Sequence, residues 1–201
     1  SLPEGFPPGV SIDGTILTLD PSHPAYEDLS QGQMTDVTVS YFINDGDGGS
    51  VFQQVVFTAT GTKDTPTVGA SLSGNGVEDG ETLVIDLLDG ASDIDMGAEL
   101  GIINIVGLTD GMSLSRTDLI IDPSNAVFQS LSAGETLEIE ISYDITDEYE
   151  ATVSQSATIT ITGTNDAPTG AITLTGSQTE DLGAALGFDL LFDAVDIDQN
   201  D

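Results

Sequence analysis

Apolar and polar residues alternate with a period of two along much of this chain. Residues 136–143 read Thr-Leu-Glu-Ile-Glu-Ile-Ser-Tyr, and residues 157–162 read Ala-Thr-Ile-Thr-Ile-Thr. Residues 37–43 and 51–57 follow the same pattern. Successive side chains of a β-strand point to opposite faces, so each segment predicts a strand with one buried and one solvated face.

Turn-forming residues separate the predicted strands. Asp13-Gly14, Asp110-Gly111 and the glycine-rich residues 44–49 lie between alternating segments. Asp, Asn and Gly tolerate the backbone angles that tight turns require. Short strands divided by such turns predict an antiparallel β-sandwich with Greek-key connections.

The sequence repeats itself. A displacement of 103 positions aligns the Asp-Ile-Asp of residues 93–95 with the Asp-Ile-Asp of residues 196–198. Agreement without gaps over a long span predicts tandem domains. A displacement of 102 positions gives most of the matches: Asp-Pro-Ser at 20–22 and 122–124, Tyr41 and Tyr143, Asp45 and Asp147, Gly-Thr at 61–62 and 163–164, and Glu-Asp at 78–79 and 180–181.

The phase of the repeat divides the chain into three parts. Residues 1–66 are the later part of one unit, residues 67–168 are a complete unit, and residues 169–201 open a further unit. The two end parts together amount to nearly one unit. Two explanations stay open: neighbouring molecules complete the end parts by head-to-tail self-association, or the ends of the chain are arbitrary boundaries.

The composition is strongly acidic. The chain has 35 Asp and Glu residues but only two Lys and Arg residues, and its formal net charge is −33. Disorder is not expected, because 38% of the residues are hydrophobic and lie in alternating rows. An acidic surface repels phosphate, which excludes nucleic acid as a partner. The apolar runs fall far short of the roughly 20 residues that cross a bilayer, so membrane insertion is not expected.

Acidic residues cluster at recurring places rather than spreading evenly. Thr-Asn-Asp-Ala-Pro at 164–168 closes the complete unit, Glu180-Asp181 lies a strand into the next, and Asp-Ile-Asp at 196–198 comes near its first turn. Calcium takes about six to eight oxygen ligands, which carboxylates, Asn side chains and carbonyls supply. Recurrence of the clusters at one spacing predicts calcium sites at the junctions, in preference to solvated turns.

The stretch 143–168 resembles the final strands and linker of cadherin repeats. It is more closely similar to the VCBS and cadherin-like repeats of large secreted bacterial adhesins, including those with repeats-in-toxin (RTX) tails. The most specific element is Thr-Gly-Thr-Asn-Asp-Ala-Pro-Thr at 162–169. The resemblance covers nearly the whole chain and implies an all-β fold of tandem cadherin-like, Ig-like Greek-key β-sandwiches of about 102 residues.

In that family calcium lies between successive domains, and the matching positions imply the Ca²⁺ ligands of this chain. Asp45 in the glycine-rich loop and Glu180, the counterpart of Glu78, belong to the set. The first junction would use Asp64, Asp93, Asp95 and Asp147. The second junction would use Glu78, Glu135, Asn165, Asp166, Asp196 and Asp198.

The first junction departs from the pattern of the second. Gln33 stands where Glu135 stands, and Lys63 stands where Asn165 stands. An ammonium group competes with a cation for the same oxygens, so we expect fewer ions or weaker binding there. A further hypothesis is that Lys63 replaces one ion through a salt bridge.

The resemblance implies a piece of a type I secreted protein at the bacterial cell surface. Its function would be a calcium-binding cell-adhesion or extender module of an adhesin, stiffened by interdomain Ca²⁺. The alternative is a calcium-dependent lectin for acidic exopolysaccharide in the biofilm matrix, although the chain has no Trp and four Tyr. The expected partners are neighbouring repeats of the same protein, and a polysaccharide or another cell surface.

Catalysis is not expected. The chain has one His and no Cys, which leaves no pair of nucleophile and base. Nearly every acidic pair has a twin one repeat away, whereas catalytic sites are seldom duplicated in tandem.

Overall fold

The computed structural model describes residues 5–170, 173–177, 179–180 and 185–198. Within these ranges the chain forms β-strands joined by turns, and it contains no helix and so none that could span a membrane. The all-β prediction is confirmed. In chain order the strands are β1 (Val10–Asp13), β2 (Ile16–Leu19), β3 (Met34–Asn44), β4 (Ser50–Thr60), β5 (Leu72–Val77), β6 (Leu83–Asp86), β7 (Gly101–Val106), β8 (Met112–Ser115), β9 (Asp118–Ile121), β10 (Thr136–Thr146) and β11 (Thr152–Thr162).

The positions of the strands follow the sequence repeat. β3 and β4 pair antiparallel over their full length, from Met34 opposite Thr60 to Asn44 opposite Ser50. β10 and β11 begin and end 102 positions after β3 and β4, and β8 and β9 stand at the same displacement from β1 and β2. The repeat in the sequence is therefore a repeat of strands.

The strands form four sheets in a sandwich-like arrangement. Their orders are β1-β2, β3-β4, β6-β9-β8 and β5-β11-β10-β7. β6 and β8 both pair antiparallel with β9. β5 pairs in parallel with β11, a direction that the antiparallel prediction missed. Because many residues separate β5 from β11 along the chain, no tight turn forces the two strands to run in opposite directions.

The contacts of the chain divide it into two compact units, each assembled from three segments. The first unit contains the described residues of Ser1–Ala70, Gly90–Ile103 and Asp144–Ser154. The second contains those of Ser71–Asp89, Asn104–Tyr143 and Gln155–Asp201. The units follow contacts rather than the 102-residue repeat, whose boundaries at residues 66 and 168 stay a prediction.

Each unit has its own apolar core. In the first unit Tyr26, Leu29, Val37 and Ala59 pack together, with Val10, Leu19 and Phe57 against them. In the second unit Tyr143 is 2% exposed, and its hydroxyl donates to the Leu87 carbonyl at 2.8 Å. The fully buried apolar side chains of the second unit include Leu87, Leu119, Ile121, Phe128, Ile141, Ile159 and Ile161.

A glycine at the end of each repeat permits a close backbone approach. A Cβ at Gly163 would overlap the carbonyl oxygens of Leu131 and Ser132, and a Cβ at Gly61 would overlap those of Leu29 and Ser30. Glycine is therefore required at both positions. Each glycine lies just before the carboxylates that end its repeat.

The core of the second unit predicts a large cost for truncating β11. Ile159→Ala removes a fully buried side chain, whereas Val84→Ala trims one that is 55% exposed. We expect Ile159→Ala to lower the free energy of unfolding by about 2–5 kcal/mol. Val84→Ala should change it by less than about 0.5 kcal/mol. Urea titration followed by circular dichroism measures both, and equal effects would contradict the assigned core.

Candidate metal centres

Hydrogen bonds join Asp64, Asp93 and Asp95 in the first unit, and these three with Asp147 of the same unit are here called the first carboxylate cluster. The N–H of Asp64 donates to Asp95 Oδ2 at 3.0 Å, and the N–H of Asp95 donates to Asp93 Oδ1 at 2.9 Å. Asp95 is only 5% exposed. Two backbone donors thus fix the Asp-x-Asp pair beside the residue that ends the preceding repeat.

Asp147 holds the loop between β10 and β11. Its Oδ1 accepts the N–H groups of Tyr149 at 2.8 Å and Ala151 at 2.7 Å. The side chain is 6% exposed. One carboxylate oxygen therefore shapes the turn, and the other remains available for a further ligand.

The second carboxylate cluster consists of Glu78, Asp166, Asp196 and Asp198 in the second unit. The N–H of Asp166 donates to Asp198 Oδ2 at 3.0 Å, and the N–H of Asp198 donates to Asp196 Oδ1 at 3.0 Å. These two bonds reproduce those of Asp64, Asp95 and Asp93 in the first cluster. The sequence repeat therefore specifies a repeated carboxylate geometry.

Glu78 follows directly after β5 and is 2% exposed. Its N–H donates to the Thr162 carbonyl at 2.8 Å, and its Oε2 accepts the N–H of Thr164 at 2.9 Å. Burial raises the pKa of Glu78, and the negative charges of Asp166, Asp79 and Asp198 raise it further. The bond from Thr164 opposes this rise without cancelling it.

The pKa of Asp166 is raised in the same way. Burial is the largest cause that raises its pKa, followed by the charges of Asp198, Asp79 and Asp196. The charges that raise the pKa of Glu78 and Asp166 all belong to aspartates. The second cluster therefore favours whatever neutralises it, either a proton or a cation.

Both clusters contain carboxylate oxygens that are buried and have no hydrogen-bond partner. A buried anionic oxygen without a donor is costly, because it loses hydration and gains nothing in return. Oxygen-rich, anionic donors suit a hard divalent cation such as calcium. Among the described residues these oxygens are Asp93 Oδ2, Asp95 Oδ1 and Asp147 Oδ2 in the first cluster, and Glu78 Oε1, Asp166 Oδ2 and Asp198 Oδ1 in the second.

The unpartnered oxygens are not gathered into a ready-made metal site. Within the described ranges, no three Asp, Glu, His or Cys side chains form a group that could hold an ion as they stand. The donor set fits a calcium ion in chemistry and burial. Further movement of the side chains would be needed to close a coordination shell.

Four of the predicted ligands lie in exposed positions. Glu135 Oε2 accepts the N–H of Ser132 at 3.1 Å within its own turn, and Asn165 Nδ2 donates to the Asp166 carbonyl at 2.5 Å. Asp45 Oδ1 accepts the N–H groups of residues 47 and 49, at 2.9 Å each, which lowers the pKa of Asp45. Glu180 is exposed as well. Their role as calcium ligands stays a prediction.

Asp79 is a neighbour of the second cluster that lies outside the predicted set of ligands. Its backbone has a φ of 59°, a left-handed conformation that non-glycine residues adopt infrequently. Its charge raises the pKa of both Glu78 and Asp166. Adjacency to Glu78 was the available signal, but the sequence could not show the turn that brings Asp79 to Asp166.

Lys63 brings a positive charge to the first cluster. Its Nζ donates to the Tyr149 carbonyl at 3.2 Å, so the linker segment before Asp64 reaches the loop that Asp147 holds. This bond ends on a neutral carbonyl rather than a carboxylate. Lys63 therefore lies beside the first cluster, and its replacement of an ion stays a prediction.

Comparison with known proteins supports the fold. No protein-family model and no curated protein sequence matches this chain. The crystal structure of human mucin-like protocadherin EC1-2 matches with a TM-score of 0.52 at 16% identity, over 79% of this chain and 80% of that one. The protocadherin gammaB4 extracellular domain covers 88% of this chain, at 13% identity and a TM-score of 0.47, and this chain spans 29% of its length. The first likeness shows that this chain has the cadherin-like, all-β sandwich fold.

Proposed function

We propose that this chain is a calcium-binding module that extends or attaches an extracellular protein, with its two carboxylate clusters as the calcium sites. The supporting observation is that both clusters hold buried carboxylate oxygens without partners, such as Asp95 Oδ1 and its counterpart Asp198 Oδ1. The same hydrogen bonds occur in both units, which indicates that the arrangement of the carboxylates belongs to the repeat and not to one turn alone.

Each cluster draws its carboxylates from separate segments of its unit. Asp64 and Asp147 lie 83 positions apart in the sequence, and Glu78 and Asp198 lie 120 apart. Calcium supplies the positive charge that lets such groups lie together. Because the ligands meet only in the ordered chain, the free energy of binding becomes free energy of folding and alignment.

The backbone pins one oxygen of several carboxylates and leaves the other for an ion. Asp147 Oδ1 accepts two N–H groups, while Asp147 Oδ2 has no partner. Pinned side chains lose little further rotational freedom when an ion binds, which favours affinity. Asn165, Glu135 and backbone carbonyls would complete the shell of the second site.

The bacterial and secretory parts of the proposal rest on the motif at residues 162–169 and on the net charge of −33. The motif is similar to VCBS and RTX adhesin repeats, which implies type I secretion to the cell surface. A chain that folds fully only with millimolar calcium suits export from a low-calcium cytoplasm. We include no catalytic role in this proposal. The exopolysaccharide lectin stays an alternative prediction, without a described residue that favours it.

Glu78→Gln tests the second site. Gln keeps the shape of Glu and can still accept the N–H of Thr164, but it lacks the anionic oxygen. We expect calcium to raise the unfolding midpoint of the parent chain more than that of the variant. Each tenfold loss of affinity should remove about 1.4 kcal/mol of the calcium-dependent gain. Calorimetry in calcium and in chelator measures the gain.

The matched control is Glu81→Gln, which neutralises an exposed carboxylate three positions away. It should leave the calcium-dependent gain unchanged. An unfolding midpoint of the parent chain that is the same in calcium and in chelator would overturn the proposal.

The raised pKa of Glu78 predicts the pH dependence without calcium. A raised pKa means that the folded state holds its proton more firmly than the unfolded state. The contribution of Glu78 to the stability of the fold is therefore fully present below the ordinary pKa of 4.5. It is lost as pH rises through the raised pKa of the folded state. In chelator, urea midpoints should fall over this window. Glu78→Gln should flatten the fall, and Glu81→Gln should leave it unchanged; equal slopes in all three chains would contradict the assignment.

Lys63→Asn tests the asymmetry between the sites. The substitution gives the first cluster the residue that the second has at position 165 and removes the competing ammonium group. We expect isothermal titration to show tighter binding, or one more ion per chain, than in the parent. Lys63→Gln, which also removes the charge, separates electrostatic competition from ligation by Asn. Unchanged stoichiometry and affinity in both variants would show that Lys63 does not limit the first site.

A further inference from the structure

The turn at residues 28–33 binds the backbone of Met96 within the first unit. The N–H of Met96 donates to the Asp28 carbonyl at 2.9 Å. The Ser30 hydroxyl donates to the Met96 carbonyl at 2.8 Å, and Ser30 is only 8% exposed. Both polar groups of the Met96 backbone are therefore bound by a turn that comes much earlier in the sequence.

Gln33 closes this turn and also reaches Met96. Its Oε1 accepts the N–H of Ser30 at 3.2 Å, and its Nε2 donates to Met96 Sδ at 4.0 Å. A thioether sulfur is a weak acceptor, so this contact contributes less than the two bonds to the Met96 backbone. Both ends of the Gln33 side chain are thus bound to protein atoms.

The same turn binds residues 61–66, here called the first linker. The N–H of Gly61 donates to the Gln33 carbonyl at 2.8 Å, and the N–H of Gly32 donates to the Gly61 carbonyl at 3.1 Å. The first linker in turn binds the loop that contains Met96, because the N–H of Asp64 donates to Asp95 Oδ2 at 3.0 Å. Turn, linker and loop therefore form a closed ring of hydrogen bonds.

Position 33 differs in chemistry from position 135, its counterpart in the second unit. Glu135 is anionic and a predicted calcium ligand, whereas Gln33 is neutral. Each side chain accepts one N–H within its own turn, at 3.1 Å for Glu135 and 3.2 Å for Gln33. A carboxylate has no N–H to donate, so only Gln33 can add a bond to a sulfur. The first unit therefore uses this position for contact with the protein.

We propose that Ser30, Gln33 and the backbone of Met96 form a clasp that keeps the first linker closed without calcium. The donors and acceptors of the clasp are neutral, so its bonds need no cation to offset repulsion between carboxylates. The clasp joins the segments on the two sides of the linker where Lys63 is expected to weaken calcium binding. It does not depend on the proposed calcium sites, and it orders the linker before any ion binds.

Cleavage by a lysine-specific endoproteinase tests the clasp, because Lys63 is the only lysine of the chain. When opening is fast relative to cleavage, the cleavage rate follows the fraction of chains whose linker is open. In chelator, we expect the folded chain to be cut about tenfold or more slowly relative to a synthetic peptide of residues 57–70. Equal rates for the chain and the peptide would overturn the proposal.

Ser30→Ala removes one bond of the clasp. It should speed cleavage in chelator by about fivefold, which corresponds to the net free energy of one typical hydrogen bond. Ser11→Ala is the matched control, because it removes the exposed hydroxyl bond to Thr18, at 2.8 Å, in the same unit outside the clasp. Its rate should stay within about twofold of the parent rate. The same rate in all three chains would refute a role of Ser30 in closing the linker.

Hydrogen exchange in chelator separates opening of the clasp from loss of the whole fold. The N–H of Met96 should exchange slowly, whereas the N–H of Ile94, which has no acceptor among the described residues, should exchange rapidly. Ser30→Ala should speed exchange at Met96 several-fold and leave the paired strands β3 and β4 unchanged. Equal acceleration at Met96 and in these strands would mean global destabilisation and would contradict the clasp. Because every measurement is made in chelator, its failure leaves the calcium proposal untouched.

Discussion

The burial of negative charge is the constraint on which the rest of this structure depends. A chain with a net charge of −33 folds around apolar strands, yet it places Glu78, Asp95, Asp147 and Asp198 among its buried residues. Each keeps one oxygen without a partner. Removing an anionic oxygen from water is costly unless a proton or a cation compensates. The buried carboxylates therefore favour the binding of protons or cations, because the chain has two basic residues against 35 acidic ones.

Backbone N–H groups bind the buried carboxylates with the same pair of hydrogen bonds in both units. In each unit the N–H of the residue after the linker Lys or Asn, Asp64 or Asp166, holds one oxygen of the second Asp in an Asp-x-Asp pair. The N–H of that second Asp holds the first. Hydrogen bonds from the backbone thus orient the carboxylates in both units. The linker side chain differs, Lys63 against Asn165, and this difference helps to make the two clusters chemically unequal.

Identical strand patterns meet different surroundings in this chain. β3 and β10 have the same length and equivalent positions, but Ile43 is exposed and Ile145 is buried. An amphipathic strand only displays an apolar face, and a partner strand or sheet must cover it. The segments that pack against a strand therefore decide whether a given position is buried, and the strand pattern alone does not.

The sequence by itself determined the strands and the repeat, because period two and turn residues are local properties. A displacement of 102 positions placed β3, β4, β10 and β11 in equivalent roles, and a displacement of 103 identified the Asp-x-Asp pairs. Only the tertiary structure decided that Glu78 is buried, that Asp79 acts on Asp166, and that β5 runs parallel to β11. Those outcomes depend on segments far apart in the chain, whose packing sets burial and charge, and no local pattern encodes that packing.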